Sequence, residues 1–162
     1  MNGRASGPFI WVGLPAYNEE VTIPALFPRF REVFPGKEAR YCILLYNDGC
    51  TDRTVEETLA WRDRLNVEVI GRDENMGLGQ GLRSLIAHVV RHGKPEDVLF
   101  MMDCDDTHHP RQLAAMLAAF EAGHDVVIAS RYRSGARIAG VVQQHGKAAL
   151  GQPLRHRGAD AA

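Results

Sequence analysis

The feature that most constrains this chain is a regular alternation of short apolar runs with segments of helical periodicity. Four clear apolar runs and one weaker run occupy residues 9–14, 41–46, 98–102, 126–129 and 67–70. Helical patterns lie between them, at 22–34, 53–64, 78–92 and 110–122. Nearly continuous apolar runs are typical of strands buried on both faces of a parallel sheet, and alternating helices cover those faces. The sequence therefore predicts an α/β fold, a three-layer sandwich around a mainly parallel sheet.

Prolines and polar residues mark where the predicted helices begin or break. Pro28 lies inside the first helical pattern, where it removes a backbone donor, so we expect that helix to kink or restart there. Pro110 suits the first turn of the last helix. Thr51 and Asp52 are plausible caps for the helix that follows them.

Length and composition favour one ordinary globular domain. With 162 residues, two domains would each be unusually small. Even the longest apolar run, 113–120, is far shorter than the about 20 residues that a membrane-spanning helix needs. The cysteines Cys42, Cys50 and Cys104 show no CxxC pairing and fit neither a disulfide framework nor a zinc site. We expect a cytoplasmic protein without a signal peptide or a transmembrane segment.

Charge is distributed unevenly along the chain. The formal net charge of −1 predicts no general affinity for nucleic acid. Residues 131–162 nevertheless carry 6 of the 19 basic residues and 1 of the 20 acidic ones. A basic tail behind an acidic body favours an anionic ligand or an anionic membrane surface, and a merely solvated tail is the alternative. Residues 141–162 show no apolar periodicity, so we expect them to be disordered.

Polar residues follow the predicted strands at their carboxyl ends, where open parallel sheets bind ligands. The segments concerned are 15–20, 47–52, 103–110 and 130–133. Three of them contribute carboxylates, and the fourth contributes Arg131 and Arg133. Hard divalent cations take carboxylate oxygens and bridge to phosphates, and arginine binds phosphate oxygens directly. The combination indicates a site for a metal-bound ligand that carries phosphate.

Three carboxylates stand together after the run 98–102, at Asp103, Asp105 and Asp106. Their mutual repulsion favours a bound cation, and capping of the next helix is the alternative. The same segment also fits the DxDxT pattern of haloacid-dehalogenase-type phosphatases, with Asp103 as nucleophile and Asp105 as acid and base. That class needs a later lysine and a later pair of acids, whereas only Lys147 and three scattered acids follow here.

Taken together, five segments resemble the family 2 glycosyltransferases of the GT-A fold, and most of all the polyprenyl- or dolichyl-phosphate sugar (mannosyl) transferases. The matching segments, in family order and at similar spacing, are 15–20, 47–54, 75–79, 102–105 and 128–132. Each segment alone is a weak signal, and their order makes the resemblance strong. It covers about residues 9–140.

The resemblance implies roles for individual residues. Pro15, Tyr17 and Glu19 would line the nucleotide pocket, and Asp48 would contact the base. A further set would handle the donor phosphates and a Mg²⁺ or Mn²⁺ ion: Asp103, Cys104 and Asp105 as the DxD motif, Thr107, and Arg131. Among these, Asp105 is the expected direct metal ligand, Asp103 a possible one, and Thr107 would complete the metal shell. Asp103 and Asp105, through the metal ion, and Arg131 would be catalytic, because the ion and the arginine stabilise the leaving diphosphate.

The chain also departs from the family pattern. Asn47 stands where the family usually has an aspartate, and Cys104 where it usually has a small alanine. The likeness fades after about residue 140, before the acceptor-binding half that family members carry. We therefore expect a nucleotide-sugar-binding donor half at 1–140 and a basic tail at 141–162, in a truncated, frameshifted or minimal form.

The expected function is metal-dependent transfer of a sugar from a GDP- or UDP-sugar to polyprenyl or dolichyl phosphate, with a peripheral position at the inner membrane face as part of the expectation. A phosphate acceptor is already anionic, so the lack of an evident general base does not count against this reaction. Two alternatives stay open at this point. One is a non-catalytic remnant that only binds nucleotide sugars, and the other is the phosphohydrolase.

Overall fold

The computed structural model describes residues 7–37, 39–105 and 107–130. Its strands are β1 (Ile10–Ala16), β2 (Tyr41–Asp48), β3 (Val67–Arg72) and β4 (Val98–Met101). Its helices are α1 (Ile23–Val33), α2 (Thr54–Leu59), α3 (Leu78–His92) and α4 (Gln112–Glu121). Asp106, Arg131 and the predicted tail at 141–162 lie outside the described residues.

The four strands form one sheet in the order β3-β2-β1-β4, and every neighbouring pair is parallel. Ile10 of β1 lies opposite Tyr41 of β2 on one side and Val98 of β4 on the other. The mainly parallel sheet predicted from the apolar runs is confirmed.

The sheet is buried on both faces, which explains the continuous apolar sequence of its central strands. In β2, Ile43 and Leu45 belong to one core cluster with Phe27 and Phe30 of α1. Cys42, Leu44 and Tyr46 alternate with them and belong to a second cluster with Leu85 of α3. Because successive side chains of a strand point to opposite faces, this division gives the three layers that the sequence predicts.

Of the two outcomes expected at Pro28, a kink or a restart of the helix, the structure contradicts the restart. One helix runs from Ile23 to Val33, with Pro28 inside it on the exposed side. The neighbouring Phe27 and Phe30 are fully buried. Their burial outweighs the cost of an internal proline, about 3 kcal/mol.

The other helices agree with the sequence except at their ends. α3 has the predicted bounds, whereas α2 stops at Leu59 and α4 begins two residues after Pro110. Of the two predicted caps of α2, Asp52 is the one that accepts the amide of Thr54 (3.0 Å). None of the helices within the described ranges is both long and apolar enough to cross a membrane.

The predicted strand at 126–129 does not join the sheet, and this expectation was wrong for the described residues. Val126 and Ile128 are 78% and 79% exposed. The segment borders, together with β4 and α4, a cavity of about 590 Å³. A strand requires paired backbone groups, and no described strand neighbours β4 on the side away from β1.

A carboxylate ties the start of β4 to β1. Asp97 accepts hydrogen bonds from the backbone amides of Phe9 (3.3 Å) and Lys94 (2.9 Å) and from the indole of Trp11 (3.3 Å). Burial raises the pKa of Asp97, but these bonds and the nearby Arg40 outweigh burial and hold the pKa below its ordinary value. The ionised form therefore stabilises the fold.

We expect Asp97→Asn to lower the free energy of unfolding by about 1–2 kcal/mol at neutral pH, because charge-assisted hydrogen bonds are lost. The pKa is lower in the folded than in the unfolded chain. The carboxylate thus contributes above its ordinary pKa of about 3.9, and the contribution is lost as the pH falls further. Urea unfolding from pH 7 to pH 3 measures this as a shrinking difference between wild type and variant. Glu96→Gln, an exposed neighbour, is the control, and a constant difference across the range would contradict the assignment.

Candidate functional site

The loops that follow β1, β2 and β4 meet at one edge of the sheet, because all strands are parallel and β1 lies between the other two. This edge carries Tyr17 after β1, Asp48 at the end of β2, and Asp103 and Asp105 after β4. The sequence prediction that these segments are neighbours is confirmed by the strand order.

Reciprocal hydrogen bonds join the loop after β1 to the loop after β2. The side chain of Asn18 accepts the amide of Thr51 (2.9 Å), and the carboxylate of Glu20 accepts the amide of Arg53 (2.9 Å). Asn18 has a positive φ of 56°, a conformation that asparagine tolerates better than most residues. The two loops therefore form one hydrogen-bonded unit.

The hydroxyl of Thr54 is the buried centre of this unit. It accepts the amide of Glu19 (2.6 Å) and donates to Asp52 (2.5 Å), and Thr54 is fully buried. Sequence reasoning gave no role to Asn18 or Thr54. The signal for Asn18 is its residue type at a turn, whereas nothing in the sequence marks the hydroxyl of Thr54 as buried.

We expect Thr54→Val to destabilise the chain by about 1–3 kcal/mol, because the amide of Glu19 loses its partner in a partly buried place. Valine keeps the shape and replaces the hydroxyl by a methyl group. Thr51→Val is the matched control, since Thr51 is exposed and its hydroxyl lies 3.4 Å from Asn18. Thermal and urea unfolding compare the two variants. An equal loss of unfolding free energy in both would show that the Thr54 hydroxyl contributes no more to stability than the exposed hydroxyl of Thr51.

Of the three residues expected to line a nucleotide pocket, Tyr17 presents the most open side chain, at 49% exposure. The carboxylate of Glu19 accepts the hydroxyl of Thr22 (2.7 Å) at the start of α1. Pro15 lies in β1, and its Cβ is 3.5 Å from where a Cβ on Gly81 of α3 would stand. Their nucleotide-binding roles stay predictions.

Asp48 is buried, with 5% exposure, and both of its carboxylate oxygens are engaged. One accepts the amide of Met76 (2.9 Å) and the other the amide of Gly77 (2.8 Å). The base contact expected of Asp48 stays a prediction. The link to the segment before α3 was not evident from the sequence, because backbone donors leave no trace in side-chain patterns.

Asp103 and Asp105 are exposed at the end of β4, whereas Cys104 between them is buried in the core. Burial raises the pKa of the Cys104 thiol to about 12, so the thiol stays protonated at neutral pH. A protonated, buried thiol does not suit metal ligation. Any contact of Cys104 with the expected nucleotide-sugar donor would have to use the backbone of Cys104.

Hydrogen bonds order the carboxylate of Asp105. Its Oδ1 accepts both the amide (3.0 Å) and the hydroxyl (2.7 Å) of Thr107. Burial raises the pKa of Asp105, but the bonds from Thr107 and the nearby His108 outweigh burial, and the net pKa lies below its ordinary value. Asp105 is therefore ionised at neutral pH.

The carboxylate oxygens in the loop after β4 suit a hard divalent cation. Mg²⁺ is usually held by one or two carboxylates, several waters and the phosphates of the substrate. Asp103 and Asp105 offer such exposed carboxylates, although within the described residues no group of three or more acidic, His or Cys side chains could hold a metal. The two histidines play local roles: the Nδ1 of His108 lies 3.8 Å from Asp103, and His109 accepts the amide of Arg111.

Comparison with known proteins points to one family. The model of "Glycosyl transferase family 2" matches residues 11–157. The polyprenol monophosphomannose synthase of Mycolicibacterium smegmatis is 33% identical over 127 residues, which cover 77% of this chain and 46% of the relative. The dolichol-phosphate mannosyltransferase of Pyrococcus furiosus is 31% identical over 127 residues, with 77% and 34% covered. The chain thus spans a third to a half of the length of these relatives.

The fold also matches solved structures. TarS 1–349 of S. aureus in complex with UDP superposes with a TM-score of 0.58 at 21% identity, covering 70% of this chain and 32% of TarS. The complex of the same protein with UDP-GlcNAc gives 0.56 at 20% identity, with 70% and 31% covered. At this identity the likeness concerns the fold alone, and it confirms the expected GT-A architecture.

Proposed function

Because the chain belongs to glycosyl transferase family 2, we propose that it binds a nucleotide-diphosphate sugar and serves transfer of that sugar to a polyprenyl or dolichyl phosphate. The observation that carries the proposal is the shared edge of the sheet. There the end of β2 places Asp48, and the end of β4 places two exposed carboxylates beside the loop of Tyr17.

The proposed donor is a GDP- or UDP-sugar whose base lies near Asp48. A carboxylate has about four lone-pair sites, and the amides of Met76 and Gly77 use two of them. The remaining sites suit the N–H donors of guanine or uracil. The exposed ring of Tyr17 offers a surface for the nucleoside, beside Pro15 and Glu19 in the loop after β1.

The proposed metal position is at Asp105, with Asp103 as a second carboxylate. The Thr107 hydroxyl, which orders Asp105, has lone pairs left for a cation. A bound Mg²⁺ or Mn²⁺ supplies positive charge against the diphosphate that leaves the sugar. Asp103 and Asp105 orient that charge, and we propose that Arg131, outside the described residues, binds the phosphate oxygens.

The proposed acceptor is a lipid phosphate. The names of two relatives, a polyprenol monophosphomannose synthase and a dolichol-phosphate mannosyltransferase, support this substrate class. A phosphate acceptor needs no general base. The basic residues of 131–162 would favour an anionic membrane surface, which fits a peripheral position at the inner membrane face.

A second candidate function is donor binding without turnover. The observation that favours it is that the residues proposed for the donor, Arg131 apart, lie within the described ranges, whereas none of the described residues is assigned a contact with the acceptor. Transfer depends on holding donor and acceptor in line, and that geometry requires groups on both sides of the sugar. The phosphohydrolase alternative gains no support from the family match.

We expect calorimetric titration to detect binding of GDP or UDP, or of their sugars, and to detect tighter binding with Mg²⁺ or Mn²⁺ than with a chelator. The metal should strengthen binding because we propose that Asp48 contacts the base without a metal, whereas the phosphates are bound through the metal at Asp105. A radiolabelled-sugar assay with polyprenyl phosphate then separates the two candidates, because binding without transfer favours the second. Absence of binding to all nucleotides tested, with and without metal, would contradict the proposal. Hydrolysis of a generic aryl phosphate by the chain would support the phosphohydrolase alternative instead.

A further inference from the structure

We infer that Asp48 is a positioning residue that holds the segment between β3 and α3, residues 73–77, and thereby couples nucleoside binding to the order of that segment. The coupling rests on the proposed function, whereas the positioning role stands on contacts within the chain. This role is distinct from a contact with the base.

The carboxylate of Asp48 is buried, and a buried charge requires strong partners. Its partners are two backbone amides, of Met76 at 2.9 Å and of Gly77 at 2.8 Å, one for each oxygen. Hydrogen bonds to an ionised acceptor are about twice as strong as neutral ones. Asp48 thus binds the end of the segment at two adjacent residues.

Apolar burial does not hold this segment in place. Asp73, Glu74 and Asn75 are exposed, and Met76 is 53% exposed. The backbone nevertheless approaches the end of β2 closely, since a Cβ on Gly49 would lie 2.5 Å from the amide nitrogen of Asn75. A segment packed this closely, with exposed side chains, depends on its polar anchor.

The anchor also occupies the amino end of α3. Gly77 is the residue that precedes the helix, and its amide donates to Asp48 at 2.8 Å and, at the longer distance of 3.1 Å, to the side chain of Asn75. This helix end therefore already has a negative partner. A ligand that contacts Asp48 contacts the group on which the position of 73–77 depends, so ligand binding and segment order are linked.

Amide hydrogen exchange, measured by NMR on the ligand-free chain, tests the positioning role. In Asp48→Asn one oxygen becomes an amide group that faces an N–H donor. We expect exchange at Met76 and Gly77 to rise about tenfold or more, while the strands β1 and β2 keep their wild-type rates. Asp73→Asn is the matched control, because it removes the same charge from an exposed side chain of the segment and should leave these rates unchanged.

Adding GDP or UDP tests the coupling. We expect the nucleotide that binds to slow exchange at both amides in wild type and to lose this effect in Asp48→Asn. Unchanged ligand-free exchange in Asp48→Asn overturns the positioning role, whether or not nucleotides bind. A local rise in exchange without any nucleotide binding by wild type supports the positioning role and contradicts the proposed function. Nucleotide binding that leaves wild-type exchange at 76 and 77 unchanged overturns the coupling.

A measurement on the wild-type chain covers the case in which Asp48→Asn does not fold. Scalar couplings through hydrogen bonds connect an amide nitrogen with the carbon of its acceptor. We expect such couplings from the Cγ of Asp48 to the amides of Met76 and Gly77. Their absence in well-resolved spectra overturns the inference.

Discussion

Asp105→Ala should reduce metal-dependent binding of a nucleotide sugar by about 100-fold or more and leave the weaker, metal-independent binding in place. Loss of an outer partner of a metal ligand already costs 10- to about 100-fold in affinity, and a direct ligand should cost at least as much. Calorimetric titration with GDP- and UDP-sugars, with Mg²⁺ or with a chelator, measures the effect. The substitution also frees Thr107, whose amide and hydroxyl both bind this carboxylate.

Asp63→Ala is the matched control for this experiment. Asp63 is an exposed acid between α2 and β3, away from the carboxyl edge of the sheet, so its removal changes the net charge equally. We expect wild-type binding from it. If Asp105→Ala binds the donor as tightly as wild type and keeps the full response to metal, the assignment of the metal to Asp105 is wrong.

Gly71→Ala should destabilise the chain by about 3 kcal/mol or more, because two costs combine at this residue. Its φ of +141° lies in a region that residues with a side chain rarely adopt. A Cβ there would also stand 2.1 Å from the carbonyl oxygen of Asn47, which is its partner across β2 and β3. The two strands would have to separate where β2 reaches Asp48.

Gly79→Ala is the same chemical change with the opposite expected sign. Gly79 lies in α3, and a Cβ there meets nothing within 4 Å. Alanine is the better helix former by about 1 kcal/mol in a helix interior. Gly79 lies in the first turn, where the gain is smaller, so this variant should be slightly more stable than wild type. Urea unfolding monitored by circular dichroism measures both variants. A similar result for the two would show that the close approach of Gly71 to Asn47 is relaxed in solution.

The parallel sheet could be predicted from the sequence because, in the central strands, the positions that are apolar in the sequence are the positions that are buried in the structure. β2 is apolar at successive positions since one set of side chains packs on α1 and the other on α3. Two expectations failed where tertiary context decides. Pro28 is tolerated because the aromatic rings beside it are buried. Among the described residues, 126–129 has no neighbouring strand to pair with, and an apolar run needs such a partner to become a strand.

For the candidate site, the sequence was sufficient to predict which loops come together. Carboxylates after parallel strands must come to one edge, and the structure has Asp48, Asp103 and Asp105 at that edge, while their roles stay predictions. What the sequence did not contain is which groups each side chain binds. Asp48 binds backbone amides nearly thirty positions away, and Thr54 accepts an amide from the loop after β1. Such partners depend on how loops approach one another, which residue types alone do not specify.

The strand order also sets a minimum length for any ligand that contacts both the end of β2 and the end of β4. β1 separates β2 from β4, so the ends of β2 and β4 lie two strand spacings apart, about 10 Å. On the proposed function, the base lies near Asp48 and the charged phosphates lie near Asp105, on the two sides of this spacing. An elongated molecule, with its recognition group and its charge at opposite ends, would then gain from both contacts at once, and we expect this edge of the sheet to favour ligands by length as well as by chemistry.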